Sequence, residues 1–497
     1  MKNIFLIFYF ILLTCAINGQ GYNHQWLVGN ASLFSEPKSR LYFTDSSYSY
    51  QTEYRKMSFK DTQGNISDVN GNFMMSSNGV WIANSKNDTM LNGTGLNPGY
   101  FANSWPNGLV INDGNIILPF PDDSTKYILF HQTELDPNSS YGGIYCTTID
   151  MTLDSGFGGV IQKNDTLIQD SLSWGIAACK HANGRDWWIV IMKDSSDKAY
   201  KILLTPNGVS SISTQSLNFL PHPWENAPQI EFSPDGTKFI YATYNNPNQK
   251  KSFSILVDFD RCSGLFSNTH KIHLVTGDYL WGNAFSPSSQ FVYVCSTLNI
   301  FQINTSTYAV DTVATYDGFM SGLPPTCCAT TFMNMYLAAN GKIYLTSGSS
   351  SQHLHEINYP DSAGVLCDVQ QHSISLGVWN LRSVPNHPNY HLGRLQGSPC
   401  DTLQWTNINE LEFDFRFRIY PNPVTSNSLH IGYLLPQNKN GLFQIYDVTG
   451  KVVYKYNLPQ WSNEQQLTLP KLANGVYSAT IISSNKKASI TIAIMNE

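Results

Sequence analysis

Apolar and polar residues alternate along most of the chain in short runs, separated by clusters of Gly, Asn, Asp and Ser. Runs such as Tyr127-Ile128-Leu129-Phe130, Trp187-Trp188-Ile189-Val190 and Phe239-Ile240-Tyr241 are rich in aromatic and β-branched residues, which predicts strands. No long stretch keeps a helical period. The pattern also repeats. Phe232-Ser233-Pro234-Asp235-Gly236-Thr237-Lys238-Phe239-Ile240-Tyr241 is echoed by Phe285-Ser286-Pro287-Ser288-Ser289-Gln290-Phe291-Val292-Tyr293 and by Leu337-Ala338-Ala339-Asn340-Gly341-Lys342-Ile343-Tyr344-Leu345. Weaker copies carry Asn70-Gly71, Asp123-Ser124 and Asn183-Gly184. With the second turn residue as the ruler, the turns fall at 71, 124, 184, 236, 289 and 341, in steps of 53, 60, 52, 53 and 52.

A turn of this kind between two apolar runs predicts a hairpin, because Gly and Asn accept the positive φ that tight turns require. Further alternating runs (Ile144 to Asp150, Ala199 to Thr205, Phe253 to Asp260, Ile300 to Asn304, Leu354 to Asn358) leave room for four strands per unit. Sheets of that size cannot bury both faces alone, so the expected fold class is all-β, with the sheets stacked radially as a β-propeller over residues 21–395. Trp26 to Gly393 is 368 residues, about seven units of 53. Seven blades are favoured and six are possible. The seventh is expected to combine Trp26-Leu27-Val28-Gly29 with the segment near Ser373 to Leu392, which would remove the free sheet edges.

Past a polar linker (396–415), residues 416–497 alternate again and predict a small immunoglobulin-like β-sandwich. Four spaced elements mark it: Tyr420-Pro421-Asn422-Pro423, Asp447-Val448-Thr449-Gly450-Lys451-Val452-Val453, Gly475-Val476-Tyr477 and a Lys-flanked closing strand with Ile490, Ile492 and Ile494 on one face. In this order they resemble the type A C-terminal sorting domain of the bacterial type IX secretion system. The end departs from that pattern, with Met495-Asn496-Glu497 after Ile494 and Ala488-Ser489 inside the last strand. The resemblance implies a sorting signal carried by Pro421, Asn422, Pro423, Asp447, Gly450, Gly475 and Tyr477. It further implies that the secretion machinery is a partner and that the cargo, its tail removed, is attached to the surface or released. The Ser-Pro-Asp-Gly turn resembles the WD-like repeats of TolB-type propellers, although the Gly-His and Trp-Asp marks of true WD repeats are missing. Lys180 to Trp188, Phe259 to Gly264 and Ser383 to Tyr390 resemble segments of a group of bacterial surface proteins that pairs such repeats with this tail and supplies no catalytic residues to carry over.

Lys2, the apolar run Ile4 to Leu13 and the polar stretch Thr14 to Gln20 read as a signal peptide over residues 1–20. That run is too short to span a bilayer, and no other approaches the required length of about 20 residues. Charged residues make up only 13% of the chain and the net charge is −6. A nucleic-acid partner is therefore not expected. Eight cysteines follow Cys15, an even number that suits disulfides in an exported protein. The adjacent Cys327 and Cys328 are read as two separate thiols. No Cys-x-x-Cys spacing suggests zinc.

Chemistry is sparse. No Gly-x-Ser-x-Gly elbow is present. His353-Leu354-His355-Glu356 places two imidazoles on one strand face without the spacing of a zinc peptidase, and reads as solvated strand histidines. Asp258 and Asp260 read as strand-end turn caps. The densest polar and aromatic cluster is His181, Arg185, Asp186, Trp187 and Trp188. One of its indoles is expected in the core and the other on a ligand rim. No catalytic residue, cofactor or metal ligand is assigned. The expectation is a non-catalytic surface component that binds a glycan or protein. The alternative is a secreted glycosidase or lyase, which would need carboxylates converging in the central channel.

Overall fold

The computed structural model describes residues 21–30, 36–44, 47–138, 141–219, 229–243, 252–276, 278–322, 327–382, 384–401, 417–425, 427–433, 435, 440–459, 464–483 and 486–495. The expected signal peptide and most of the expected linker lie outside these residues. The chain forms two units, Met1–Leu403 and Gln404–Glu497.

The fold is all-β apart from α1 (Tyr100–Ser104) and short 3-10 turns. The first unit opens with a three-stranded sheet of β1 (Gln25–Val28), β2 (Lys38–Phe43) and β3 (Tyr48–Glu53). Next come β4 (Gly64–Ser67), β5 (Phe73–Ser77), β6 (Trp81–Ala83) and β7 (Thr89–Thr94), then β8 (Asn115–Pro119), β9 (Lys126–Glu134), β10 (Tyr141–Asp150) and β11 (Gly159–Ser171). These two meanders join into one eight-stranded sheet through a single pairing of Leu91 with Gly159 on their last strands. Four more meanders follow: β12 (Ala177–Lys180), β13 (Trp187–Met192), β14 (Lys198–Thr205), β15 (Gly208–Ser216); β16 (Ile230–Phe232), β17 (Lys238–Thr243), β18 (Ser252–Asp260), β19 (Leu265–Leu274); β20 (Leu280–Phe285), β21 (Phe291–Ser296), β22 (Asn299–Asn304), β23 (Val310–Thr315); and β24 (Phe332–Leu337), β25 (Ile343–Ser347), β26 (Ser351–Ile357), β27 (Val369–Asn380).

All six ruler turns link the first and second strands of a meander. Gly71, Gly184, Gly236, Ser289 and Gly341 take positive φ there, as a tight hairpin requires. The first strands contact one another in succession, β1 with β4, β4 with β8, β12 with β16, β16 with β20 and β20 with β24. Each sheet also shares an apolar core with the next. Trp188, Val190 and Met192 pack with Phe232, Phe239 and Phe259, while Trp187, Ile189 and Ile191 face the other way, toward Ile116, Leu118 and Phe130. The last sheet packs on the first through Trp26, Leu41, Phe43, Tyr344 and Leu354.

One expectation is corrected here. The N-terminal strand heads its own hairpin with β2 and does not share a sheet with residues near 373–392. Of that segment, β27 belongs to the last meander, and the described residues from Leu381 to Leu392 form no strand. Pro385 and Pro388 have no N–H to give a ladder, and Asn386 and Asn389 bond sideways to the carbonyls of Ile176 and Pro234. Cys262 is bonded to Cys400 at 2.03 Å, one disulfide of the kind the even cysteine count suits.

The second unit packs β28 (Phe417–Tyr420), β29 (Ser428–Tyr433) and β32 (Glu464–Thr468) as one sheet, with β30 (Gly441–Tyr446), β31 (Val452–Leu458), β33 (Gly475–Ser483) and β34 (Lys486–Ile494) as another. Their shared core includes Leu429, Ile431, Phe443, Ile445, Ile481 and Ile492.

Candidate functional site

The polar and aromatic cluster after β12 is a folded turn. Asn183 Oδ1 accepts the amides of Arg185 and Asp186, both at 3.0 Å, and its Nδ2 donates to Asp186 at 2.8 Å. Arg185 Nε donates to the same carboxylate at 2.7 Å. His181 Nδ1 accepts the Asn183 amide at 3.1 Å, which leaves Nε2 to donate to the Cys262 carbonyl at 3.0 Å. Both indoles are buried, Trp187 at 0% and Trp188 at 6% exposure. The expected exposed indole is therefore absent. Strand β13 lies inside its sheet with a neighbouring sheet on each face, so alternation sends one indole into each core. Their N–H groups donate to the carbonyls of Pro119 (3.2 Å) and Arg261 (2.9 Å). His181, Arg185, Asp186, Trp187 and Trp188 are all engaged within the fold.

The chemistry converges instead where the first strands of the sheets meet. Tyr336 on β24 donates its hydroxyl hydrogen to Asp113 at 2.7 Å and accepts from Asn334 Nδ2 at 3.0 Å. Asp113 immediately precedes the Gly114 that leads into β8, and it is buried. Burial pushes its carboxyl up to about 7, with the Tyr336 hydrogen bond opposing. Glu231 on β16 accepts the Phe285 amide at 3.3 Å. Loss of hydration by burial holds Glu231 well above the usual carboxylate range; the Phe285 amide opposes this and the nearby charge of Asp113 adds to it. Gln229 ties three first strands together. Its Oε1 accepts the amides of Asn283 (3.2 Å) and Met335 (3.1 Å), and its Nε2 donates to the Met335 carbonyl at 2.6 Å. Nearby, buried Asp61 forms a two-point ion pair with Arg382 at 3.1 and 2.7 Å.

A cleft of about 400 Å³ opens beside this knot, walled by Glu231, Asn340, His24, Asn386, His387 and Leu392 among others. Of the described residues that line it, Glu231 is the one carboxylic acid, and no lysine or arginine takes part. Burial pushes the His387 imidazole down to about 3, so it is neutral near pH 7. A carboxyl raised above the usual carboxylate range, a neutral imidazole and amides on a partly apolar wall can exchange hydrogen bonds with a polar, uncharged ligand.

Counting back from the ruler turns could have exposed this site. Five residues before the turn stand Ile66, Pro119, Cys179 and Ala284 in four units, but Glu231 and Tyr336 in the other two. Asp113, inside Asn112-Asp113-Gly114, is indistinguishable from an ordinary turn residue. The other candidates are structural. His355 is buried, not solvated, and faces Phe332 with ring centres 5.0 Å apart. Asp258 pairs with Lys238 at 2.7 Å, and Asp260 caps its turn through the amides of Cys262 and Ser263. Among the described residues, no three His, Cys, Asp or Glu side chains are grouped to hold a metal ion.

In the second unit the sorting residues build turns and strand ends. Asn422 donates to the Thr491 carbonyl at 3.1 Å and accepts the Ala493 amide at 3.0 Å, between Pro421 and Pro423. Asp447 Oδ1 accepts the amides of Thr449 (2.9 Å) and Lys451 (3.1 Å) around Gly450, whose φ is 82°. Gly475 opens β33, and Tyr477 donates to the Ala473 carbonyl at 2.9 Å. Asp447, Gly450 and Tyr477 line one shallow depression.

Among solved structures, the chain is similar to a provisionally assigned 6-phosphogluconolactonase from Bacteroides uniformis, at 13% identity and TM-score 0.45 over 73% of this chain and 100% of that one. A second such protein, from Bacteroides fragilis, gives 12% identity and TM-score 0.44 over 75% and 99% of the respective chains. The extracellular domain of a provisionally assigned hybrid two-component system from Bacteroides thetaiotaomicron gives 10% and 0.38 over 97% of this chain and 58% of that one. Similarity this weak carries no functional assignment. No curated protein matches the chain. Among described residues, no helix is long and apolar enough to cross a membrane. Residues 418–495 match the model of the secretion system C-terminal sorting domain, which places the protein among those exported by type IX secretion to the cell surface or the extracellular space.

Proposed function

We propose that this protein is an exported binding protein: a signal peptide, a seven-bladed β-propeller and an immunoglobulin-like sorting sandwich, with the axial cleft as its ligand site. Seven blades are supported by seven meanders, each sharing a core with the next, and by the packing of the last on the first. The ligand is an uncharged, hydroxyl- or amide-rich group, such as a sugar unit of an extracellular glycan. The observation that carries this reading is the cleft wall, where a single carboxyl stands among amides and imidazoles. A glycosidase needs two carboxyl groups flanking the scissile bond. Asp113, whose charge acts on Glu231, is buried and bonded to Tyr336, so binding is favoured over hydrolysis.

Glycan-array screening of the mature protein, followed by calorimetry on any hit, tests this. Glu231→Gln, which keeps the shape and hydrogen-bonding reach of the side chain, is expected to bind within a few-fold of wild type, whereas Asn340→Trp should block the cleft. Glycan turnover by the wild-type protein, lost in Glu231→Gln, would establish the enzyme reading instead. Binding that is indifferent to Asn340→Trp places the site elsewhere.

A further inference from the structure

The residues after the last sheet, Val384 to Cys400, run as a strap along the cleft and are pinned at successive points. Asn386 Nδ2 donates to the Ile176 carbonyl and Asn389 Nδ2 to the Pro234 carbonyl, both at 2.7 Å. Tyr390 donates to the Ile117 carbonyl at 2.9 Å, and the Leu395 amide to the Ala182 carbonyl at 2.8 Å. The strap thus crosses the sheets led by β8, β12 and β16. Two hairpin glycines receive it. A Cβ on Gly184 would lie 2.5 Å from the Arg394 nitrogen, and one on Gly236 would lie 2.7 Å from Leu392 Cδ2. At these turns glycine therefore serves both the positive φ and the close approach of the strap.

The far end is fastened to the turn after β18. Arg261 donates through Nε to the Lys180 carbonyl at 2.8 Å and through Nη2 to the carbonyls of His181 (3.2 Å) and Gly393. The next residue, Cys262, is bonded to Cys400. Beneath the strap lies the free thiol of Cys179, which lines the cleft. The Cβ position above Gly236 is 2.7 Å from Arg261 Cδ and 2.8 Å from Cys179 Sγ, so strap, arginine and thiol meet at one point.

We propose that the Cys262–Cys400 disulfide is a clasp that holds the strap as one wall of the cleft, so that access to the cleft depends on the redox state of this pair. Oxidation removes two protons and two electrons from the thiols, passed to a disulfide-bearing oxidant. A dithiol reverses it, with its own sulfurs becoming the new disulfide. In the oxidised state Asn386, His387 and Leu392 are fixed in place, and the cleft has the walls described above. In the reduced state the strap beyond Tyr390 keeps, among the described residues, the Arg261 bond to Gly393 and the Leu395 amide bond to Ala182, and Leu392 lifts from Gly236. The inference rests on the cleft being the ligand site, but its test uses no ligand and so fails or succeeds separately.

Cys179 is the reporter, because burial pushes its thiol up to about 12 and suppresses its thiolate. The full mature protein is treated with N-ethylmaleimide at pH 8, oxidised and after reduction by dithiothreitol and its removal, and each cysteine is followed by peptide mass spectrometry. A Cys262→Ser, Cys400→Ser double variant provides the open state without reductant. At least a ten-fold faster labelling of Cys179 is expected in the reduced and doubly substituted proteins, together with faster hydrogen exchange at Leu395. An unchanged Cys179 rate overturns the clasp. Equal acceleration at Cys146, Cys295 and Cys367 also overturns it, because it would mean that whole sheets open rather than the strap.

Discussion

Tyr336 and Asp113 are joined by a 2.7 Å hydrogen bond across 223 residues of sequence. It ties the last meander of the first unit to the segment that leads into the third meander. Both groups are buried, so neither can turn to water if the other is lost. Tyr336→Phe leaves Asp113 without this donor while keeping the ring. It should lower stability by about 1–3 kcal/mol, the usual cost of an unsatisfied buried group. Urea unfolding checks this, and a midpoint equal to wild type would show that the bond is incidental.

The same carboxyl sets a pH dependence. Its folded value of about 7 lies above that of an unfolded aspartate, near 4. Its favourable contribution is thus full below about pH 4 and is lost as pH rises to about 7. Glu231, raised as well, acts in the same direction. Buried His131 and His387, both pushed down to about 3, act oppositely and weaken the fold as pH falls below about 6.5. The Asp113→Asn variant separates these effects. Relative to wild type, its urea midpoint should rise steadily from pH 5 to pH 8. A difference that does not vary with pH would count against the shift.

The blade rhythm was legible because hairpin turns and period-two strands are local: Gly71, Gly184, Gly236, Ser289 and Gly341 took the conformations their sequence allows. The closing of the chain was not. The packing of Trp26 against Tyr344, with ring centres 5.8 Å apart, depends on contacts some 300 residues apart, which no local pattern records. The rim reading failed for a related reason. Alternation correctly set Trp187 and Trp188 on opposite faces, but whether a face meets solvent or another sheet is decided by the neighbouring sheets. Glu231 and Tyr336 left a faint mark as polar or aromatic exceptions in otherwise small or apolar positions. Asp113 left none, because a turn aspartate and a buried one look alike.

Both indoles should therefore behave as core residues. Trp187→Ala and Trp188→Ala are each expected to cost roughly 3–5 kcal/mol, since each removes a large buried side chain and leaves a cavity between two sheets. Denaturant unfolding of the two variants tests this. One variant of wild-type stability would restore the idea of an exposed indole at this turn.

Export should follow the second unit. The four sequence elements lie within the span that matches the sorting-domain model, on the turns and strand ends of its two small sheets, and Asn422 and Asp447 spend their side chains on holding local backbone. Removing residues 404–497 should therefore leave the first unit in the periplasm, while residues 417–497 fused to an exported fluorescent carrier should take that carrier outside. Asp447→Ala, which removes the acceptor for the Thr449 and Lys451 amides, should lower surface amounts by loosening the turn around Gly450. Fractionation with immunodetection reads all three. Wild-type surface levels of the truncated chain, or a fusion retained in the periplasm, would show that the export signal is not confined to this unit.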